Sequence, residues 1–186
     1  MVRKIENARE RFGTAAIELF RARGYADTTV AQIAAAAGLT ERTFFRYFID
    51  KPEVLFWRAA ELEAEVLDTI ARGDDPKPLN LVIAALESAG RFFDRHRQGV
   101  QVRQAIVAEH PDFQERELMK MRSLAIAIRT ALEGRGTPTG TARMVAQVGV
   151  LIWQAALERW CEDELRRDFA HHVHTSLAEL TDATAR

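Results

Sequence analysis

The stretch between residues 24 and 51 constrains this chain most, because turn and capping residues recur in it too closely for any long helix. Gly24 supplies a left-handed stop for the segment before it, and Tyr25 is placed to fold back on that segment's last turn. Thr29 followed by Gln32 makes a capping-box arrangement, so a helix starts there. It runs through Val30, Ile33, Ala34 and Ala37 until Gly38 ends it. Leu39 leads to Thr40, a candidate N-cap, and Glu41 suits the positive end of the following helix's dipole. Two short helices joined by a glycine-containing turn make the helix-turn-helix arrangement, whose second helix enters a major groove of DNA.

That second helix lies in GLTERTFFRYF at 38–48. On a helical wheel Phe44 and Phe48 fall together with Phe45 at their edge, while Arg42, Thr43, Arg46 and Tyr47 fall opposite. Two or three Phe therefore anchor the helix and a polar strip is left outward. The strip is chemically suited to DNA: Arg pairs with guanine edges or phosphates, Thr with phosphate or a thymine methyl, Tyr with phosphate. An ordinary helical hairpin with a solvated polar face fits the same pattern.

The rest of the chain also reads as helix, which makes the fold class all-α with about nine helices. Beta-branched alternation and hairpin signals are absent, and apolar residues recur at spacings of three and four throughout. Ile5, Ala8, Phe12, Ala15, Ala16 and Leu19 share one face of the first helix. A fourth helix is expected from Pro52, tolerated in a first turn, and GDDPKP at 73–78 breaks it. Val82, Leu86, Ala89 and Phe93 form the stripe of a fifth. A sixth is expected at about 100–109, and a seventh after the turn His110-Pro111-Asp112. Thr137 is the expected cap of helix eight, with Pro138 in its first turn. Helix eight carries Val148, Leu151, Ile152 and Trp153 among apolar residues on nearly every side, so it must be covered on more than one side. Glu162-Asp163-Glu164 read as a helix start, and Leu165, Phe169, Val173, Leu177 and Leu180 as the stripe of helix nine.

Composition narrows the class. The N-terminal run MVRKIENARERF has no apolar core, and the apolar stretch at 144–157 is too short and too interrupted by Gln147 and Gln154 to span a bilayer. The single Cys161 forms no internal disulfide framework and reads as a buried small hydrophobe. A cytoplasmic location is expected. Residues 1–51 hold nine Lys and Arg against six Asp and Glu, whereas 52–186 hold 17 against 21, a mildly basic head on an acidic body. No phosphate loop, Gly-x-Ser-x-Gly elbow, zinc-protease motif or triad with structural context appears, so no catalytic residue is assigned and no enzyme is expected. His171, His172 and His174 lack the further ligands a metal needs; no metal and no cofactor are expected.

Residues 12–55 resemble the DNA-binding domain of the TetR (tetracycline repressor) family of bacterial regulators. The resemblance lies in LF…GY at 19–25, TTV..IA..AG at 28–38 and T..T.F.YF..K..L at 40–55. It covers about the first third of the chain, and the remainder matches in plan only. It implies a helix-turn-helix domain at 1–51 and a helical ligand-binding and dimerisation domain at 52–186. It further implies phosphate contacts from Thr29 and Lys51, phosphate or base contacts from Thr40 and Thr43, another contact from Tyr47, and sequence reading by Arg42 and Arg46. Phe45 replaces a frequent tyrosine, which removes a hydroxyl contact to phosphate and leaves a structural role open. Ile49 stands where proline is common.

The resemblance also implies a homodimer on a palindromic double-stranded operator, controlled by a small-molecule effector in the body, with ligand tilting the fourth helix to change the spacing of the heads. Trp57, Phe92, Met121 and Trp153 are the candidate pocket residues. Val148, Leu151, Ile152, Phe169, Val173 and Leu177 are the candidate dimer interface, as a four-helix bundle of helices eight and nine with their mates. The segment ALERW at 156–160 resembles family members that answer acyl-CoA-like or other apolar ligands. The alternative is a helical interaction module whose head no longer binds DNA.

Overall fold

The computed structural model describes the backbone of residues 2–185 and the side chains of 8–185. Among the described residues there are nine α-helices: α1 (Val2–Arg23), α2 (Val30–Ala36), α3 (Glu41–Tyr47), α4 (Ala59–Arg72), α5 (Pro78–Arg95), α6 (Arg97–Glu109), α7 (Pro111–Gly134), α8 (Thr139–Glu162) and α9 (Phe169–Thr184). A 3-10 turn at Pro52–Phe56 stands between α3 and α4. No described helix is long and apolar enough to cross a membrane.

The fold divides into two compact units, one of Met1–Ala59 with Gln98–Gln114, the other of Ala60–Arg97 with Glu115–Arg186. The expected head of 1–51 lies inside the first unit, which also takes in the 3-10 turn and most of α6.

In the first unit Ala8, Phe12, Ala15, Ala16 and Phe20 of α1 are buried, Leu19 is half-buried, and Ile5 lies outside the described side chains. Phe12 is the hub: its ring meets those of Phe44 at 5.3 Å and Phe48 at 6.0 Å, both edge to face. Burying each such ring contributes roughly 1.5–3 kcal/mol, which is what holds a helix as short as α3 in place. Ile106, Val107 and Phe113 complete this core.

Several boundaries differ from expectation. The helix expected at Pro52 is a 3-10 turn, with α4 beginning only at Ala59. Asp50 Oδ1 accepts from the Glu53 N–H at 2.8 Å and the Leu55 carbonyl accepts from Arg103 Nε at 3.2 Å, so outside partners shape this turn. Val54, Leu55 and Phe56 are all buried in succession, which a one-sided α-helix does not allow. Thr137 does not cap α8: its N–H donates to the Leu132 carbonyl at 3.1 Å, closing α7, and Pro138 occupies the cap position. Glu162-Asp163-Glu164 end a helix rather than start one, because Asp163 turns the chain by accepting from the N–H groups of Leu165 and Arg167. Leu165, expected on the α9 stripe, therefore lies before that helix and is 77% exposed.

The second unit is built on α5, α8 and α9. Phe93, Trp153 and Phe169 form a cluster with ring centres 4.9–5.2 Å apart. Two glycines permit this approach: a Cβ at Gly90 would collide with the Phe169 ring, and one at Gly149 with Val82. Asp94 Oδ1 accepts from Trp160 Nε1 at 3.0 Å and from the Phe169 N–H at 2.9 Å, pinning α8 and the start of α9 to α5. Arg97 donates to the Trp160 carbonyl at 2.9 Å while its guanidinium lies 4.0 Å from the indole centre.

Candidate nucleic-acid interface

The helix-turn-helix is assembled by local chemistry. Gly24 takes φ +83° and Gly38 takes φ +63°, the left-handed conformations that end α1 and α2 without steric cost. The capping box is complete: Gln32 N–H donates to Thr29 Oγ1 at 3.2 Å and Thr29 N–H to Gln32 Oε1 at 2.9 Å. Thr40 caps α3, accepting from the Thr43 N–H at 3.2 Å. Its hydroxyl also shares a hydrogen bond with that of Thr43 at 2.9 Å. Of their two hydroxyl hydrogens one is used there, which leaves one for an outside acceptor such as a phosphate oxygen.

The wheel's question about three Phe has a definite answer. Phe44 and Phe48 are 0% and 1% exposed, whereas Phe45 is 55% exposed. Two rings anchor α3 and the third belongs to the surface. Around it Arg42 and Arg46 are exposed and Thr43 and Tyr47 are half-buried. Arg46 Nη2 donates to the Tyr47 hydroxyl at 3.3 Å, and its guanidinium lies 5.1 Å from that ring's centre. One end of the strip is thus a pre-set pair rather than two loose side chains.

Lys51 is placed differently from the other candidate contacts. Its Nζ donates to the carbonyls of Tyr25 at 2.9 Å and Thr28 at 2.8 Å and sits 4.0 Å from the Tyr25 ring centre. Burial lowers its pKa below the usual lysine value, partly opposed by Asp27. Two of three ammonium hydrogens are therefore occupied in holding the loop between α1 and α2. Thr28 was not singled out in the sequence, yet it is buried and its hydroxyl donates to the Gly24 carbonyl at 2.8 Å. Its signal was the string Thr28-Thr29, in which only the second threonine reads as a cap.

The remaining candidates lie elsewhere. Trp57 belongs to the first unit, half-buried against Gly13, where a Cβ would meet the indole. Phe92 is half-buried and stacked on His96 at 4.2 Å, and Met121 is half-buried on α7. Trp153 is buried in the core of the second unit. Of the candidate interface residues, Ile152, Phe169 and Val173 are buried within this chain, Val148 and Leu177 are half-buried and Leu151 is 54% exposed. The histidines have separate partners: His172 Nε2 lies 3.1 Å from Asp163 and His174 Nε2 2.8 Å from Glu87, and among the described residues no cluster suits a metal. Cys161 is half-buried.

Comparison with known proteins agrees with this head. Residues 14–56 match the family model described as bacterial regulatory proteins, tetR family. The chain is 36% identical over 100 residues to the HTH-type transcriptional regulator TcmR of Streptomyces glaucescens, a match covering 53% of this chain and 44% of that one. It is 28% identical over 179 residues to the HTH-type transcriptional repressor BepR of Brucella suis, covering 88% and 85%. The fold is shared with a TetR-family repressor, FadR of Thermus thermophilus, solved with lauroyl-CoA (TM-score 0.61, 24% identity, 96% and 95% covered). It is also shared with FadR of Bacillus subtilis, solved with stearoyl-CoA (TM-score 0.68, 14% identity, 95% and 99% covered). With its capped helix-turn-helix, its exposed arginines on α3 and these matches, the head of this chain at residues 14–56 is that of the tetR family of bacterial regulatory proteins.

Proposed function

We propose that this chain is a cytoplasmic transcriptional regulator that binds a palindromic operator as a homodimer and is released by a small apolar ligand held in its body. The observation that carries it is α3: two buried Phe fix the helix while Arg42 and Arg46 are exposed on it, with Thr43 and Tyr47 half-buried beside them and the Tyr47 ring packed against the core. Arg42 and Arg46 would read bases, and Thr29, Thr40, Thr43, Tyr47 and the third hydrogen of Lys51 would meet phosphates. A domain division of 1–51 and 52–186 is the corresponding functional one, head against body. The dimer would form on α8 and α9 through Val148, Leu151 and Leu177, since Ile152, Phe169 and Val173 already serve the chain's own core. For the effector, the acyl-CoA found with two structural neighbours supports testing that class first, and the pocket residues proposed are those in the second unit, Phe92, Met121 and Trp153, Trp57 belonging to the first. A ligand acts only through different affinity for the DNA-bound and free states.

Selection of purified protein against random duplex DNA, followed by sequencing of the retained fraction, tests the reading. An enriched palindrome supports it. Absence of enrichment across a range of salt, with and without acyl-CoA, would leave a helical interaction module instead.

A further inference from the structure

Phe45 is the side chain on α3 that neither the core nor the polar strip explains. It is 55% exposed, while its neighbours Phe44 and Phe48 are fully enclosed. Its described ring contact is edge to face with Phe44, with centres 5.5 Å apart. At 100° per residue it stands between Phe48 and Arg42, at the edge of the buried face and on the side away from Thr43 and Tyr47, and nothing in its own unit covers that edge fully. An exposed ring there keeps apolar surface in water whenever the head is free.

Resting on the regulator reading above, we propose that Phe45 is a specificity residue that reads thymine by packing on its C5-methyl group. A phenyl ring has no donor or acceptor, so it cannot answer a phosphate or the polar edge of a base. On the major-groove edges of the four base pairs the one apolar feature is the thymine methyl. Arg42 alongside supplies polar readout, so the two side chains together would prefer a thymine next to a base that arginine can bond. The position carries no hydroxyl, and its exposed ring fits this apolar readout.

The test uses the full chain and the selected operator, with each thymine replaced singly by deoxyuridine, which removes only the methyl group. Affinity is measured for the unaltered protein, Phe45→Ala and Phe45→Leu, each first checked for an unchanged thermal transition. The unaltered protein should lose about fourfold in affinity at one thymine per half-site, the value of one buried methyl. Phe45→Ala should bind thymine and deoxyuridine operators equally, and Phe45→Leu should keep part of the difference. If no demethylated position matters, or if Phe45→Ala keeps the full deoxyuridine penalty, the ring does not read thymine and serves only to cover Phe44 or a sugar. If the unaltered protein retains no DNA at all, the regulator reading falls and this role falls with it; if DNA binds and only the methyl effect is missing, this role alone falls.

Discussion

Lys51 and Tyr25 are joined twice: the Lys51 Nζ donates to the Tyr25 carbonyl at 2.9 Å and lies 4.0 Å from the centre of its ring. A residue that family resemblance assigns to the phosphate backbone is thus also the fastener of the loop between α1 and α2. Lys51→Ala should lower unfolding free energy by about 1–3 kcal/mol, because two carbonyls lose their donor. Where the variant remains folded, the slope of log affinity against log salt should fall by about one if the third hydrogen meets a phosphate. Chemical denaturation and titrations at several salt concentrations separate these effects, and an unchanged slope leaves Lys51 a purely structural residue.

Arg46 and Tyr47 act as a pair, with the guanidinium donating to the hydroxyl at 3.3 Å. Arg46→Ala should weaken operator binding by about 1–3 kcal/mol and relax preference at one base position. Tyr47→Phe removes the hydroxyl while keeping the ring under the guanidinium, so its loss should be smaller. Affinities for the operator and its single-base variants check both; an Arg46→Ala protein with unaltered preference would exclude base reading by Arg46.

Leu151 and Ile152 are neighbours in α8 with opposite environments, 54% and 1% exposed. Leu151→Glu should give a folded monomer in sedimentation. Ile152→Glu should instead unfold the body, since it buries an unpaired carboxylate. A Leu151→Glu protein that still sediments as a dimer would move the interface elsewhere.

Gly90 lies where a methyl group would collide with the Phe169 ring. Gly90→Ala should therefore cost about 1–3 kcal/mol of stability through overpacking, despite alanine's better helix propensity. A thermal melt that rises rather than falls would show that Phe169 can move aside.

His172 makes the turn between α8 and α9 acid-sensitive. Burial lowers its pKa below the ordinary 6.5, Asp163 opposes this, and His171 and Arg167 add to the lowering. The folded state holds the proton more weakly than the unfolded chain, so the stability of this site is full above pH 6.5 and declines as pH falls from there toward the lowered value. Asp163 is held well below the carboxylate range, chiefly by Arg167, so its contribution persists to far lower pH and does not overlap. His172→Gln, which retains a neutral N–H donor for Asp163, should flatten the fall in Tm as pH drops below 6.5. Equal slopes for both proteins would place the acid sensitivity elsewhere.

The sequence by itself determined the helical class, the capping of α2 and α3 and the anchoring of α3 by Phe44 and Phe48. These follow from local conformational preference and a 3.6-residue period, which neighbouring residues carry whatever the rest of the chain does. Only the tertiary structure decided that Phe45 stands outside the core, because a residue at the edge of an apolar face is buried or bare according to what covers that edge. The same holds for the 3-10 turn at Pro52–Phe56, where the Leu55 carbonyl bonds to Arg103 from α6. It holds also for Asp163, whose acidic neighbours suggested a helix start until its bonds to Leu165, Arg167 and His172 made it the pivot of a turn. Partners distant in sequence, or bonds closed by a turn, leave no periodic trace, and those are the features that decide which side chains of this protein are left for another molecule.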